Sequence, residues 1–325
     1  MHVVIIGAGA LGTIYAAYLS RSGHDVTLFA RGERANIIRE HGIAVSGTED
    51  FVAHCDVATA DTPPRSCDVL INAVKTYDTD GALAALKDMQ VGSAFSVQNG
   101  VQKNIALSET YGPDATLGAV GMLGGEMTHV VANEPLGVRF NMPGGTTIGE
   151  LDGSESNRVA DIVSAIKSSG LRASSSTDIQ SVEWSKFVGW SGVSALAVLT
   201  RLPTSTFMSR PDTALIAGRV MRETAAVARA HGITLQPSGN SAPEIIDAPE
   251  ADALESLLEG GLKSLTTSPD FRQSILQDAD RGKPLEVNET LGYTLSLAHR
   301  HGVDVPTLDY CCRILRVISE TQGKH

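Results

Sequence analysis

Apolar and polar positions alternate along this chain with two rhythms, and the rhythm changes near the middle. Val3–Ile6 is a continuous apolar run that closes on glycines and reads as a buried strand. A helical period follows from Ala10 to Ser22, and a second strand is expected at Asp25–Phe29. Val69–Val74 and Ala94–Val97 read as further strands, with a helix-like stretch between them. Short strands alternating with helices predict an α/β fold built on a doubly wound parallel sheet. From Thr116 to Glu150 the segments are strand-like and broken at Gly124-Gly125, Pro135 and Pro143-Gly144-Gly145. They are expected to complete the same sheet, some of them antiparallel.

A helix near Asn157–Ser169 and a short strand-like stretch come next, and then the pattern turns wholly helical. The segments are Ile179–Leu199, Thr213–His231, Glu250–Ser264, Pro269–Ala279, Leu285–His301 and Pro306–Thr321. Two domains are expected, residues 1–176 and an all-α 177–325, as the 325-residue length also suggests at ~150 residues per domain. Two helices end alike, in Ala-Arg-Ala-His-Gly at 228–232 and Ala-His-Arg-His-Gly at 298–302. A glycine just past a helix suits a left-handed cap, and a polar or cationic neighbour suits the negative end of the dipole. His231, His299 and His301 are therefore read as helix-end residues rather than catalytic bases.

Composition narrows the partners. The chain carries 26 Lys and Arg against 37 Asp and Glu, a net charge of −11, with no basic cluster. Nucleic acid and anionic membrane surfaces need a concentrated basic footprint, so neither is expected. Four scattered cysteines (Cys55, Cys67, Cys311, Cys312) suit neither a disulfide framework nor a zinc site, and no metal is expected. No apolar stretch approaches the ~18 residues that span a bilayer, and Val3–Ile6 lacks the basic flank of a signal peptide. The expected compartment is the cytoplasm. Apolar stripes in the helical half serve equally its own core or a homodimer face.

The first strand runs into Gly7-Ala8-Gly9-Ala10-Leu11-Gly12, which opens a helix. In that context every glycine has a physical reason. Gly7 allows the tight turn, Gly9 admits a pyrophosphate, and Gly12 lets helix and strand pack closely. The first domain is thus read as a Rossmann-type dinucleotide-binding domain. An NAD site would place a carboxylate at the end of the second strand, for the ribose 2′-hydroxyl. That strand instead ends Phe29-Ala30-Arg31, with Arg34 close behind. A guanidinium suits a 2′-phosphate, so NADP is the expected cofactor, the alternative being a surface arginine beside a turn. Lys75 and Asn99 fall at carboxyl ends of parallel strands, where open α/β sheets bind ligands, though a solvated lysine and a plain Asn-Gly turn remain open.

These pieces, with others in order, resemble the ketopantoate reductase (2-dehydropantoate 2-reductase) family over essentially the whole chain. The matching residues are the Gly7–Gly12 loop, Arg31, Ala-Val-Lys75, Val-Gln-Asn99-Gly100, Pro143-Gly-Gly and Ile148-Gly149-Glu150. Further along they are Trp184-Ser-Lys186-Phe, Ser274-Ile-Leu-Gln-Asp278, Pro284-Leu-Glu286-Val-Asn288 and the His-Gly-x-x-x-Pro ending at Pro306. The resemblance implies NADPH-dependent reduction of a small 2-oxo acid, as in pantothenate biosynthesis, with the site in a cleft between the halves. It makes Lys186 the general acid, Glu286 a ligand for substrate hydroxyl, and Ser274 a neighbour of the substrate carboxylate. It also puts Lys75 and Asn99 in contact with cofactor and substrate.

A cationic acid beside a carbonyl that gains hydride would stabilise the developing oxyanion, and the aromatic flanks of Lys186 would lower its pKa. Read from the residues alone, Lys186 pairs as well with Glu183 on an exposed helix, and Glu286 serves as a first-turn acid behind Pro284. The family's asparagines four, eight and eighteen residues after the lysine are here Trp190, Ser194 and Thr204, all placed on or near the Lys186 helix face. An indole in place of an amide favours a more apolar substrate than ketopantoate. The rival functions are an oxidative hydroxy-acid dehydrogenase of the same fold and a non-catalytic NADP-binding regulator.

Overall fold

Alternate residues of the first strand belong to different cores: Val3 and Ile5 join one buried cluster, Val4 and Ile6 another. A strand covered on both faces has no polar side, which is why it reads as an unbroken apolar run. The computed structural model describes residues 1–128, 130–131, 133–237 and 243–322. The chain falls into two compact units, residues 1–99 with 103–179, and residues 100–102 with 180–325.

The first unit begins β1 (His2–Ile6), α1 (Ala10–Arg21), β2 (Asp25–Phe29), α2 (Gly32–His41), β3 (Ile43–Gly47), β4 (Phe51–Ala53) and β5 (Asp56–Ala58). It continues with β6 (Ser66–Asn72), α3 (Thr79–Ala84), β7 (Gln90–Ser96), α4 (Lys103–Tyr111), β8 (Leu117–Gly121) and β9 (Gly124–Met127). It closes with β10 (Leu136–Met142), β11 (Gly145–Glu150), α5 (Asn157–Ser168) and β12 (Arg172–Ser175). The main sheet has the order β5-β2-β1-β6-β7, and its pairings are all parallel. Helix α1 is buried from Gly12 to Leu19 against one face of it.

The segments from Thr116 to Glu150 do not complete this sheet. They join a four-stranded sheet, β4-β3-β10-β9, and a three-stranded one, β12-β11-β8, and among the described residues they pair with the main sheet through one isolated bridge, Ala94 to Thr116. The partners β3, β4 and β12 are short, and Gly47 turns with φ +103°, so period counting gave no notice of the extra sheets. The turn from β11 into α5 is locked by Glu150, which accepts from Ser156 Oγ (2.5 Å) and Arg158 Nε (2.7 Å). Those bonds hold the nearly buried Glu150 carboxyl below the usual carboxylate range.

The second unit is helical: α6 (Ile179–Thr200), α7 (Thr204–Met208), α8 (Pro211–Ala230), α9 (Pro243–Ile246), α10 (Glu250–Thr267) and α11 (Ser274–Asp280). A single π turn at Asn288–Gly292 then leads into α12 (Tyr293–His301), followed by α13 (Pro306–Thr321). Its core gathers Phe187, Val188, Leu196, Phe207, Val220, Leu276, Leu297 and Leu308. Gly232 and Gly302 take positive φ, +86° and +65°, and end α8 and α12 as left-handed residues. Helix α11 starts only at Ser274, because the preceding segment gives its backbone elsewhere: the Phe271 carbonyl accepts from Thr204 N at 2.9 Å. Among the described residues no helix is long and apolar enough to cross a membrane.

Candidate functional site

The Gly7–Gly12 loop joins β1 to α1, as its spacing requires. Gly7 has φ +104°, and a Cβ there would lie 2.8 Å from Val74 Cγ1. A Cβ on Gly12 would come within 2.0 Å of the Gly7 carbonyl oxygen. Only Gly9 faces open space, where the nearest atom to an added Cβ is the Ala73 carbonyl at 4.0 Å. Two glycines are thus demanded by packing and the third keeps a cradle empty. Ala10 and Leu11 pack on the core below, and the first turn of α1 carries no acidic residue. Its N–H groups have no helical acceptors and suit an anion. Arg34, from α2, donates to the Ala8 carbonyl at 2.9 Å and braces the loop. The arrangement fits the pyrophosphate of a dinucleotide.

Lys75 and Asn99 lie just past the ends of β6 and β7, beside the loop that Gly7 abuts. A buried amide cluster sets these ends together. Gln98 donates from Nε2 to the Val74 carbonyl and to Thr79 Oγ1, both at 2.8 Å, while its Oε1 accepts from Ser96 Oγ (2.8 Å) and Asn72 Nδ2 (3.2 Å). Asn72, Ser96, Thr79 and Gln98 are all buried. Buried Lys103 donates to the carbonyls of Gln98 and Ala119 and so holds the other side of the strand end. Neither Gln98 nor Lys103 stood out in the sequence as a site residue; the signal was a run of amides and small polar residues inside apolar strands.

Arg31 follows β2 and is the residue before α2, in extended conformation. Its side chain is 86% exposed, and Nη2 lies 3.0 Å from Asp78 Oδ2. Asp78, 47 residues further on, thus brings a carboxylate to this guanidinium.

In the second unit, Lys186, Trp190 and Ser194 fall one turn apart along α6, on one face. Glu183 and Trp184 are buried and Lys186 is half-buried, so the exposed-helix alternative does not apply. Trp190 stacks on Phe187, with centroids 5.7 Å apart and planes 24° from parallel. Ser194 is fully buried and its Oγ has no hydrogen-bond partner among the described residues. Such a hydroxyl costs free energy until something accepts from it or donates to it.

Thr204 is a correction. It lies on α7, beyond the end of α6, and its hydroxyl accepts from Gln273 Nε2 at 3.2 Å, so it does not share the Lys186 face. Arg201, with φ +60°, turns the chain between the two helices. Ser274 opens α11 and is exposed. Glu286 is a second correction to the residue-only reading. It is buried and precedes the π turn, so it is not a first-turn acid on a helix begun by Pro284. Among the described residues no three His, Cys, Asp or Glu are grouped to hold a metal.

Comparison with known proteins adds the family. The model described as ketopantoate reductase PanE/ApbA matches residues 3–153, and that for the PanE/ApbA C terminal matches 178–319. A 2-dehydropantoate 2-reductase of Archaeoglobus fulgidus is 26% identical over 306 residues, 93% of this chain and 92% of the relative. The crystal structure of a PanE/ApbA family ketopantoate reductase from Ralstonia eutropha is 25% identical and covers both chains completely, with a TM-score of 0.82. D-mandelate dehydrogenase, solved with NADH and anilino(oxo)acetate, shares the fold at TM-score 0.81 over 99% of both chains, with 16% identity. The chain belongs to the ketopantoate reductase family, and its activity class is oxidoreductase.

Proposed function

From membership of that family, we propose that the protein reduces a small 2-oxo acid to the 2-hydroxy acid with NADPH. The observation that carries this reading is the open Gly9 cradle at the head of α1, framed by Gly7 and Gly12 that packing demands. A nicotinamide dinucleotide bound there supplies the hydride. Gly7, Ala8, Gly9, Ala10, Leu11 and Gly12 hold the pyrophosphate through backbone; Arg31 meets the 2′-phosphate; Lys75 and Asn99 line the strand ends. Lys186 donates a proton from Nζ to the carbonyl oxygen as negative charge develops on it. Glu286 and Ser274 bind and orient the acid, and Ser194 offers it the unpaired hydroxyl. A buried carboxylate is well suited to accept from a substrate hydroxyl, since burial strengthens such a bond.

The indole of Trp190, stacked on Phe187 along the Lys186 face, favours a substrate with an apolar or aromatic side chain. Accommodation of anilino(oxo)acetate by a dehydrogenase of this fold agrees with that preference.

The test is oxidation of NADPH and NADH against ketopantoate, branched aliphatic and aromatic 2-oxo acids, with Lys186→Ala alongside. Turnover is expected on at least one acid, and the variant is expected to lose ~10²–10⁴-fold in kcat. Full turnover in the variant removes Lys186 as the acid. Tight NADPH binding without turnover on any acid points instead to a regulator.

A further inference from the structure

Arg31 does not wait for a phosphate with its charge unanswered: Asp78 holds its guanidinium at 3.0 Å. We propose that Asp78 is a specificity-determining residue that narrows this protein's preference for NADPH over NADH, an inference that rests on Arg31 binding the 2′-phosphate.

Three observations carry it. Asp78 is the residue before α3, a position where aspartate ordinarily caps its own helix, yet its side chain makes no such bond. It is directed across the sheet end to Arg31 instead. Its backbone is also fixed in place. Asp78 N donates to the Lys75 carbonyl at 2.9 Å, and the next residue, buried Thr79, is held by Gln98. The backbone that carries the carboxylate is therefore anchored near Arg31. The third observation is that the other arginine at this edge, Arg34, is half-buried and donates from Nη1 to the Ala8 carbonyl, whereas Arg31 faces outward.

The consequence is electrostatic. A 2′-phosphate must take Arg31 from Asp78, or share it, and in either case lies near a fixed negative charge. A ribose 2′-hydroxyl carries no charge and meets no such opposition. Asp78 thus weakens the phosphorylated cofactor selectively, and the pair makes the discrimination smaller than Arg31 alone would give.

Calorimetric binding of adenosine 2′,5′-bisphosphate and of adenosine 5′-monophosphate to the intact protein isolates the 2′-phosphate without turnover. In Asp78→Asn the affinity ratio of bisphosphate to monophosphate is expected to rise about 5- to 10-fold, with the monophosphate unchanged. A ratio that stays level overturns the proposal. So does a ratio that falls, because Asp78 would then be aligning Arg31 for the phosphate. Arg31→Ala is the separate arm: if it leaves the wild-type ratio intact, the 2′-phosphate reading of Arg31 itself fails, whatever Asp78 does. Both side chains are at the surface, 86% and 35% exposed, so the variants are expected to fold.

Discussion

At the carboxyl ends of β1, β6 and β7 the polar groups are mainly loop and strand-end backbone, beside Lys75 and Asn99, tied by a buried cluster in which the Gln98 side chain makes four bonds. Along α6 they are single side chains on a buried helix, and one of them, the Ser194 hydroxyl, has no partner among the described residues. In the first region the Gln98 amide is fully paired; in the second the buried Ser194 hydroxyl has no partner among the described residues. A site made of backbone serves one invariant ligand part, since every dinucleotide has a pyrophosphate. A site made of side chains can be rewritten one residue at a time.

The sharpest way to break this contrast is at the glycines. Gly12→Ala sets a Cβ 2.0 Å from the Gly7 carbonyl oxygen, and is expected to cost upwards of about 3 kcal/mol in denaturant unfolding. Gly9→Ala, in open space, is expected to leave stability within about 0.5 kcal/mol while dinucleotide affinity falls in calorimetry. Equal stability losses in the two variants would show that the loop is merely packed and not a cradle.

A smaller loss is expected inside the amide cluster. Gln98→Leu keeps the volume but strips Asn72, Ser96, Thr79 and the Val74 carbonyl of a buried partner, at about 2–3 kcal/mol. Nucleotide affinity should fall with it, because Lys75 and Asn99 lie at the strand ends that the cluster binds together. Unchanged melting would mean that the ends are held by the strand ladder alone.

At Ser194 no loss of stability is expected. Ser194→Ala removes an unpaired buried hydroxyl and should be neutral or stabilising by up to about 1 kcal/mol in thermal unfolding. The same variant should raise KM for the 2-oxo acid. A destabilised variant with unchanged KM would place the hydroxyl in the fold and not in the site.

Much of the first unit was legible because its signals are local. A buried parallel strand must be apolar throughout, a Gly-x-Gly-x-x-Gly turn must sit at a strand–helix junction, and both occupy neighbouring residues. The β8–β11 region misled because sheet membership depends on which strand lies alongside, and no period within a segment records that. The Lys186–Trp190–Ser194 face was legible from helical spacing, whereas Thr204 was misplaced because Arg201 and Pro203 end the helix first. Glu286 read as a first-turn acid because the π turn that follows it looks, in sequence, like an ordinary helix start.

By itself the sequence determined the α/β and helical halves, the Gly7–Gly12 loop between strand and helix, and the helix face bearing Lys186. Each of these rests on contacts between residues a few positions apart, which periodicity and steric demand express directly. Tertiary structure alone decided that Arg31 is met by Asp78, that Gln98 knots two strand ends, and that the buried Ser194 hydroxyl has no partner among the described residues. Those depend on distance in space and on what burial denies to water, and neither quantity is written in the order of the residues.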